Sequence, residues 1–363
     1  MFIEVNDVNP LNALSFQLEN GKYLWDAVVL FAANINYDAA SGRPYVKCNP
    51  NVQYLLDNNE TLIQPLRKRG IKVILGILGN HDMAGVAQLS PQGCKDFAHE
   101  LARYCYAYDL DGVNFDDEWS DPNVDVNNPS FTFPSYEAGA RLCLETKRAM
   151  PDKLVTVFCW ANMHHLDQVD GVDAKEYTDI AVANYSSTAP ALGQMTLKQC
   201  SGVSSEYNLH RGDDLDANKA EWLMSNGYGW FMGFAPFPNN YTDIWNRLEG
   251  AEVLYGSPLK EPSLFYKKNA TEPSVTVGLK DDDFSFAATT LPEMSYELGV
   301  VANVTGYKIA EMAYEAKVVI KKETFTIVTS FDGANDNSAT FERTVGKRLR
   351  DSILSPFFHS YIF

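Results

Sequence analysis

The chain has 363 residues, 45% hydrophobic and 21% charged, with 30 basic against 47 acidic side chains and a net charge of −17. That length exceeds a single small domain and fits one barrel of about 250 residues plus a module of about 100. Most of the excess charge lies before residue 257, with 18 Lys and Arg against 33 Asp and Glu there and 12 against 14 beyond it; this argues against nucleic acid or an anionic membrane surface as partner and suits a neutral ligand such as a sugar.

From residue 1 to 257, apolar strand-like runs alternate with amphipathic helical segments, the pattern of a parallel sheet covered by helices. Strands are predicted at Met1–Val5, Ala27–Ala33, Lys72–Leu78, Gly112–Asp117, Leu154–Trp160, Asp179–Asn184, Val203–Tyr207 and Gly229–Phe234. Helical character is read at Val52–Arg69, Gln92–Tyr108, Ser135–Met150 and Asp216–Ser225, and at Thr242–Tyr255 after the last strand. Gly70 and Gly227 follow two of these segments as helix stops. Eight strands with intervening helices predict an α/β TIM barrel over residues 1–257. After Pro258 the runs Ser274–Val277, Tyr296–Val304, Lys317–Ile320 and Thr324–Thr329 read as a small antiparallel β module over 258–363, punctuated by Asp281-Asp282-Asp283 and Asp332-Gly333. Thr344–Phe363 has no clean period and receives no assignment.

Cys48, Cys94, Cys105, Cys143, Cys159 and Cys200 show neither CxxC nor metal-finger spacing and read as free, mostly buried thiols. No run of roughly eighteen apolar residues is present, so no membrane span is predicted. Met1-Phe2-Ile3-Glu4-Val5-Asn6 already reads as strand, with no signal peptide before it. A processed or trimmed start is expected, with a secreted or cell-surface location.

The most informative stretch is Leu110-Asp111-Gly112-Val113-Asn114-Phe115-Asp116-Asp117-Glu118-Trp119-Ser120. Strand alternation sends Asn114, Asp116 and Glu118 to one side and Val113, Phe115 and Asp117 to the other. Two acids thereby face one cavity. Burying adjacent carboxylates is costly without compensation, so such a run at a strand end favours chemistry over packing. Barrel active sites assemble at the carboxyl ends of the strands. The other strands end in Asn34-Ile35-Asn36-Tyr37, Gly79-Asn80-His81-Asp82, Trp160-Ala161-Asn162, Asn184-Tyr185-Ser186 and Glu206-Tyr207-Asn208. That mixture of aromatics and amides suits a carbohydrate, whose ring faces stack while its hydroxyls need fixed partners.

The run Asp111 to Glu118 resembles the DGxDxDxE motif of family 18 glycoside hydrolases, with Asn114 in place of one Asp. Phe31 to Asp38, Asn51-Val52-Gln53 with Leu55 to Asn58, and Gly70 to Leu75 leading to Leu78-Gly79-Asn80-His81 are similar to endoglycosidase H and its relatives. Leu144 to Leu154 looks like a helix-to-strand passage of the endoglycosidase F-type enzymes. The resemblance covers residues 1–257 and does not extend to the C-terminal module. It implies cleavage between the two core N-acetylglucosamines of an N-linked glycan, by a retaining, substrate-assisted route. The high-mannose class follows from the endoglycosidase H likeness alone.

Under this reading Glu118, held protonated by its acidic neighbour and partial burial, gives a proton to the leaving oxygen and later takes one from water. Asp116 accepts the acetamide N–H and stabilises an oxazolinium intermediate. By resemblance, Tyr185 donates its hydroxyl to the acetamide oxygen. Asn114 cannot ionise, so the pair lacks a third acid with which to share charge. No metal or cofactor is implied, and a monomer acting on an N-glycan or glycoprotein is expected.

Further sugar-contact candidates are Asn114, Trp119 as a stacking platform, Phe234 as a floor, His81, Glu206 and, more weakly, Asn36 and Asn162. Each also has a structural reading: a rim or core aromatic for Trp119 and Phe234, a hydrogen-bonded loop residue for His81, and a salt bridge to Arg211 for Glu206. A chitinase shares the acid pair and a non-catalytic sugar-binding barrel shares the fold, although such barrels typically lose the acid that Glu118 supplies.

Overall fold

In the computed structural model of the chain, the first 262 residues carry ten strands: β1 (Phe2–Glu4), β2 (Ala27–Tyr37), β3 (Pro44–Lys47), β4 (Lys72–Leu78), β5 (Gly112–Asp116), β6 (Leu154–Cys159), β7 (Ile180–Ala183), β8 (Ser201–Glu206), β9 (Arg211–Gly212) and β10 (Trp230–Phe234). The structure describes residues 1–80, 84–118, 120, 127–185, 187–236 and 241–275, together with the backbone of six later strands. Eight of the ten strands run parallel in the order β7-β6-β5-β4-β2-β1-β10-β8. A parallel bridge from Ala181 to Cys200 joins β7 to the chain entering β8 and closes the circle. The predicted barrel is present, and its eight strands are those read from the sequence.

Two short strands were not predicted. β3 folds back on the far end of β2, with Asn34 opposite Lys47 and Tyr37 opposite Pro44. β9 pairs Arg211 with Glu206 and Gly212 with Ser205. Gly212 has φ +85°, and a Cβ there would meet the Ser204 carbonyl oxygen at 2.2 Å, so glycine is required at this hairpin.

The helices follow their apolar stripes. Pro91–Ala107 starts at Ser90, whose Oγ accepts from the Gly93 N–H at 3.1 Å, and buries Cys94, Phe97, Ala98, Leu101 and Cys105 at helical spacing. The predicted helix Val52–Arg69 divides into Pro50–Asp57, Asn59–Leu62 and Gln64–Arg67; the second break falls just before Pro65, which lacks the N–H a continuous helix needs. Thr242–Tyr255 likewise divides into Tyr241–Asn246 and Ala251–Tyr255.

Inside the barrel Phe2, Val29, Ile74, Phe158, Ile180, Val182 and Met232 form one buried cluster, each side chain contributing about 1.5–3 kcal/mol by leaving water. All six cysteines are free. Among the described residues no helix is long and apolar enough to cross a membrane.

The foot of β5 explains half of the acid motif. A Cβ on Gly112 would lie 2.1 Å from the Leu154 carbonyl oxygen, so no larger residue fits between β5 and β6. Asp111 Oδ2 accepts from Arg67 Nε and from the Val73 N–H, both at 2.9 Å. Burial works to raise the Asp111 pKa, but the Arg67 guanidinium and the Val73 N–H overcome it and hold the carboxyl below its ordinary range. A depressed carboxyl contributes stability above its unfolded value of about 3.9, lost as pH falls through the folded value. Asp111→Asn is therefore expected to destabilise the barrel at pH 7 by about 1–3 kcal/mol, a gap that narrows in melts below about pH 4. Turnover per folded molecule should not change.

The chain separates into two units, one of Met1–Pro262 with Tyr266–Glu272 and one of Ser263–Phe265 with Pro273–Phe363. In the second, Leu264–Phe265 pairs with Ser274–Val275, and Met294–Leu298, Tyr314–Lys321, Thr324–Phe331 and Ala339–Val345 form an antiparallel sheet in that order. The predicted strand Tyr296–Val304 is two elements, its end pairing as Asn303–Val304 with Tyr307–Lys308. The turns at 281–283 and 332–333 and the segment after 345 lie outside the described residues.

Candidate active site

At the carboxyl ends of the strands the barrel opens into a cavity of about 340 Å³. Its floor is aromatic. Phe2 from β1 meets Phe31 at 6.1 Å and Phe158 at 6.4 Å between ring centres. Phe31 meets Phe234 at 5.6 Å, Phe234 meets Tyr185 at 6.1 Å, and Tyr185 meets Phe158 at 6.0 Å. The five rings form a closed circuit of edge-on and tilted contacts, the geometries aromatic quadrupoles prefer.

Asp116 and Glu118 enter this cavity from β5 and the residues just past it. Asp116 is 5% exposed, and its Oδ1 has no hydrogen-bond partner. Burial, then the neighbouring charges of Glu118 and Asp117, push its carboxyl well above the ordinary range. The group burdened by desolvation is therefore Asp116, while Glu118 stands partly exposed at the mouth. Asp117 points to the other side, as alternation requires. Its Oδ2 accepts from the Asn162 N–H at 2.9 Å and Nδ2 at 2.8 Å, so Asn162 fastens the end of β5 to the loop after β6.

Tyr185 follows β7 and lines the cavity. Burial, then Glu206 and Asp116, push its phenol far above the ordinary range, which keeps it a neutral O–H donor. Glu206, 3% exposed at the end of β8, accepts from Arg211 Nε. The Arg211 guanidinium also lies 5.2 Å over the Tyr185 ring, tying the β9 hairpin to the aromatic wall. Trp160, 46% exposed, and Asn184 complete the rim.

Asp116, Glu118, Tyr185, Glu206 and Phe234 thus meet in one cavity. Asn114 lies beneath it, fully buried, its Nδ2 donating to Thr156 Oγ1 at 2.8 Å while that hydroxyl donates to the Val113 carbonyl at 3.2 Å. Asn36 is not among the lining residues; its Oδ1 accepts from Asn80 Nδ2 at 2.8 Å. His81 and Trp119 lie outside the described residues. Glu4 and Arg211 line the cavity without having been predicted to do so. Glu4 lies inside the predicted run Met1–Val5, so the strand-end rule that selected the other acids passed over it, whereas the structure ends β1 at Glu4. Among the described residues no three His, Cys, Asp or Glu side chains come together in a metal-holding arrangement.

Asn114 Oδ1 and Asp116 Oδ1 are both buried without a partner, two residues apart on one face of β5. A neutral Asp116 has a proton to share with such an oxygen; an ionised one has none. Asn114→Asp adds a third carboxyl at a fully buried position, and like charge favours the protonated forms of its neighbours. The alkaline limb of the pH–rate profile is expected to move to higher pH, with kcat retained within about tenfold. Superimposable profiles for variant and parent would count against coupling through this position.

Residues 262–363 match the family described as "Domain of unknown function (DUF4989)". Over 276 residues the chain is 45% identical to endo-beta-N-acetylglucosaminidase F1 of Elizabethkingia meningoseptica, spanning 74% of this chain and 81% of that protein. Two solved structures of EndoBT-3987 from Bacteroides thetaiotamicron, one with a Man5GlcNAc product and one with a Man9GlcNAc2Asn substrate, share 66% sequence identity and a TM-score of 0.74 over 76% of this chain. The match spans 64% of the solved chain in the first and 69% in the second.

Proposed function

Because the chain belongs to the endo-β-N-acetylglucosaminidases, we propose that it cuts the chitobiose core of N-linked glycans, of the high-mannose class, with retention and substrate assistance. The observation that carries this reading is the Asp116–Glu118 pair at the end of β5, set over an aromatic floor beside an unshared tyrosine hydroxyl. The product and substrate named with EndoBT-3987 support the high-mannose class.

The chemistry follows from the positions. Glu118, at the open side, gives its proton to the glycosidic oxygen as the bond to the leaving sugar breaks. The substrate's own acetamide oxygen closes on the anomeric carbon, forming an oxazolinium ring. Asp116 receives the acetamide N–H; a donor there favours its anion and leaves the proton of the pair to Glu118. The charge that develops on the ring faces the Asp116 carboxylate in a water-poor site, where electrostatic stabilisation is strongest. Tyr185 donates to the acetamide oxygen and orients it. Water then attacks the anomeric carbon, giving its proton to Glu118, and two inversions yield retention.

We propose that it acts as a monomer. The same reading carries the proposal that the protein is secreted or held at the cell surface, where N-glycoproteins are met. Mass spectrometry of a high-mannose glycoprotein after incubation tests the reading. Loss of the glycan leaving a single N-acetylglucosamine on the protein is expected. An unchanged mass with high-mannose, hybrid and complex substrates, together with turnover of chitin oligomers, would replace it with chitin cleavage.

A further inference from the structure

Four carboxylates line the cavity: Asp116, Glu118, Glu206 and Glu4. The first two are occupied by the reaction proposed above, and Glu206 has Arg211. Glu4 has no such cation, and no described residue forms a hydrogen bond or ion pair with its side chain. Beside burial, the charges that act on it are those of Asp7 and Glu206, both of its own sign. A half-buried carboxylate so placed costs stability and serves no internal contact.

Its position is fixed by register. Phe2 and Glu4 share a face of β1, and Phe2 belongs to the aromatic floor, so Glu4 stands one layer above that floor. In the parallel ladder Glu4 lies opposite Phe31, and β2 and β4 separate it from β5. It is therefore set apart from the bond-breaking pair yet faces the same bound molecule. The buried Asp116 Oδ1 in this cavity is also without a hydrogen-bond partner among the described residues.

We propose that Glu4 is a sugar-orienting residue, whose carboxylate accepts the O–H groups of a hydroxyl pair on the bound saccharide. An ionised carboxyl is acceptor-only, and its two oxygens match two neighbouring O–H donors of a neutral sugar. The aromatic floor holds a ring face but leaves rotation about the stacking axis free. Two directed hydrogen bonds from β1 stop that rotation and hold the saccharide in the cavity. This inference rests on the N-glycan reading of the site.

The test is Michaelis kinetics on a high-mannose glycopeptide with Glu4→Gln, together with calorimetry of a Man5GlcNAc oligosaccharide on Glu118→Gln and on the Glu118→Gln, Glu4→Gln double variant. The amide keeps the shape but loses the charge and one acceptor oxygen. The expected result is a KM raised about 10- to 100-fold with kcat within about threefold, an oligosaccharide affinity weakened by the same factor, and a Tm no lower than the parent's. Unaltered KM and affinity beside an active parent would overturn the role of Glu4 and leave the glycosidase reading standing. A fall in kcat with KM unchanged would equally overturn it. A parent that releases no glycan would sink the glycosidase reading, while the calorimetric comparison would still decide whether Glu4 holds saccharide.

Discussion

Glu118→Gln is expected to lower kcat on a high-mannose glycoprotein by about 10²–10⁴-fold, with KM nearly unchanged and Tm within a degree or two of the parent. The side chain sits at the partly exposed mouth of the cavity, so an isosteric amide neither opens a hole nor strands a partner. What it removes is the proton for the departing oxygen and the base for the incoming water. Mass spectrometry reads both outcomes directly, as glycan loss with the parent and retention with the variant. Release at the parental rate would mean that another group gives the proton and would end the assignment of Glu118.

Asp116→Asn carries the second large effect, in two directions at once. Catalysis is expected to fall about 10²–10³-fold, the cost of losing one preorganised group aimed at developing charge. Stability is expected to rise. The Asp116 pKa is raised in the folded protein by burial and by Glu118 and Asp117, so its ionisation opposes folding: the associated stability is fully present below the unfolded value of about 3.9 and is lost as pH rises through the folded value. Asparagine never ionises. The variant should therefore melt above the parent at neutral and alkaline pH and converge with it near pH 4. A variant less stable than its parent at pH 8 would show that the Asp116 anion is held by contacts of its own.

The parallel frame was legible because most of its strands are apolar runs separated by amphipathic segments. Gly112 and the carboxylates that follow could be read as a strand end for the same reason. What escaped was short or depended on distant residues. β9 has two residues, too few for any period, yet it delivers Arg211 to both Glu206 and Tyr185. Asn36 resembled its neighbours on the rim, but a hydrogen bond from Asn80, forty-four residues away, engages its side-chain oxygen. The desolvation that acts on Asp116 rather than Glu118 also depends on tertiary structure, since alternation alone puts both on one face. Trp160 and Asn184 were visible at their strand ends, whereas Glu4 stood in a segment whose interest was its start.

The closed circuit of rings also bears on how the molecule comes into being. Its members stand at positions 2, 31, 158, 185 and 234, and the first and last strands meet through the pairing of Phe2 with Phe234. Contacts between residues so far apart in sequence form only after the intervening chain has been gathered, which makes them late events in folding. The floor therefore does not exist until the eighth parallel strand docks on the first. During synthesis, Asp116 emerges well before the surface that desolvates it and remains an ordinary hydrated acid. Closure of the barrel and activation of its acid pair are one event, and a nascent chain that stops short of Phe234 carries the motif without the chemistry.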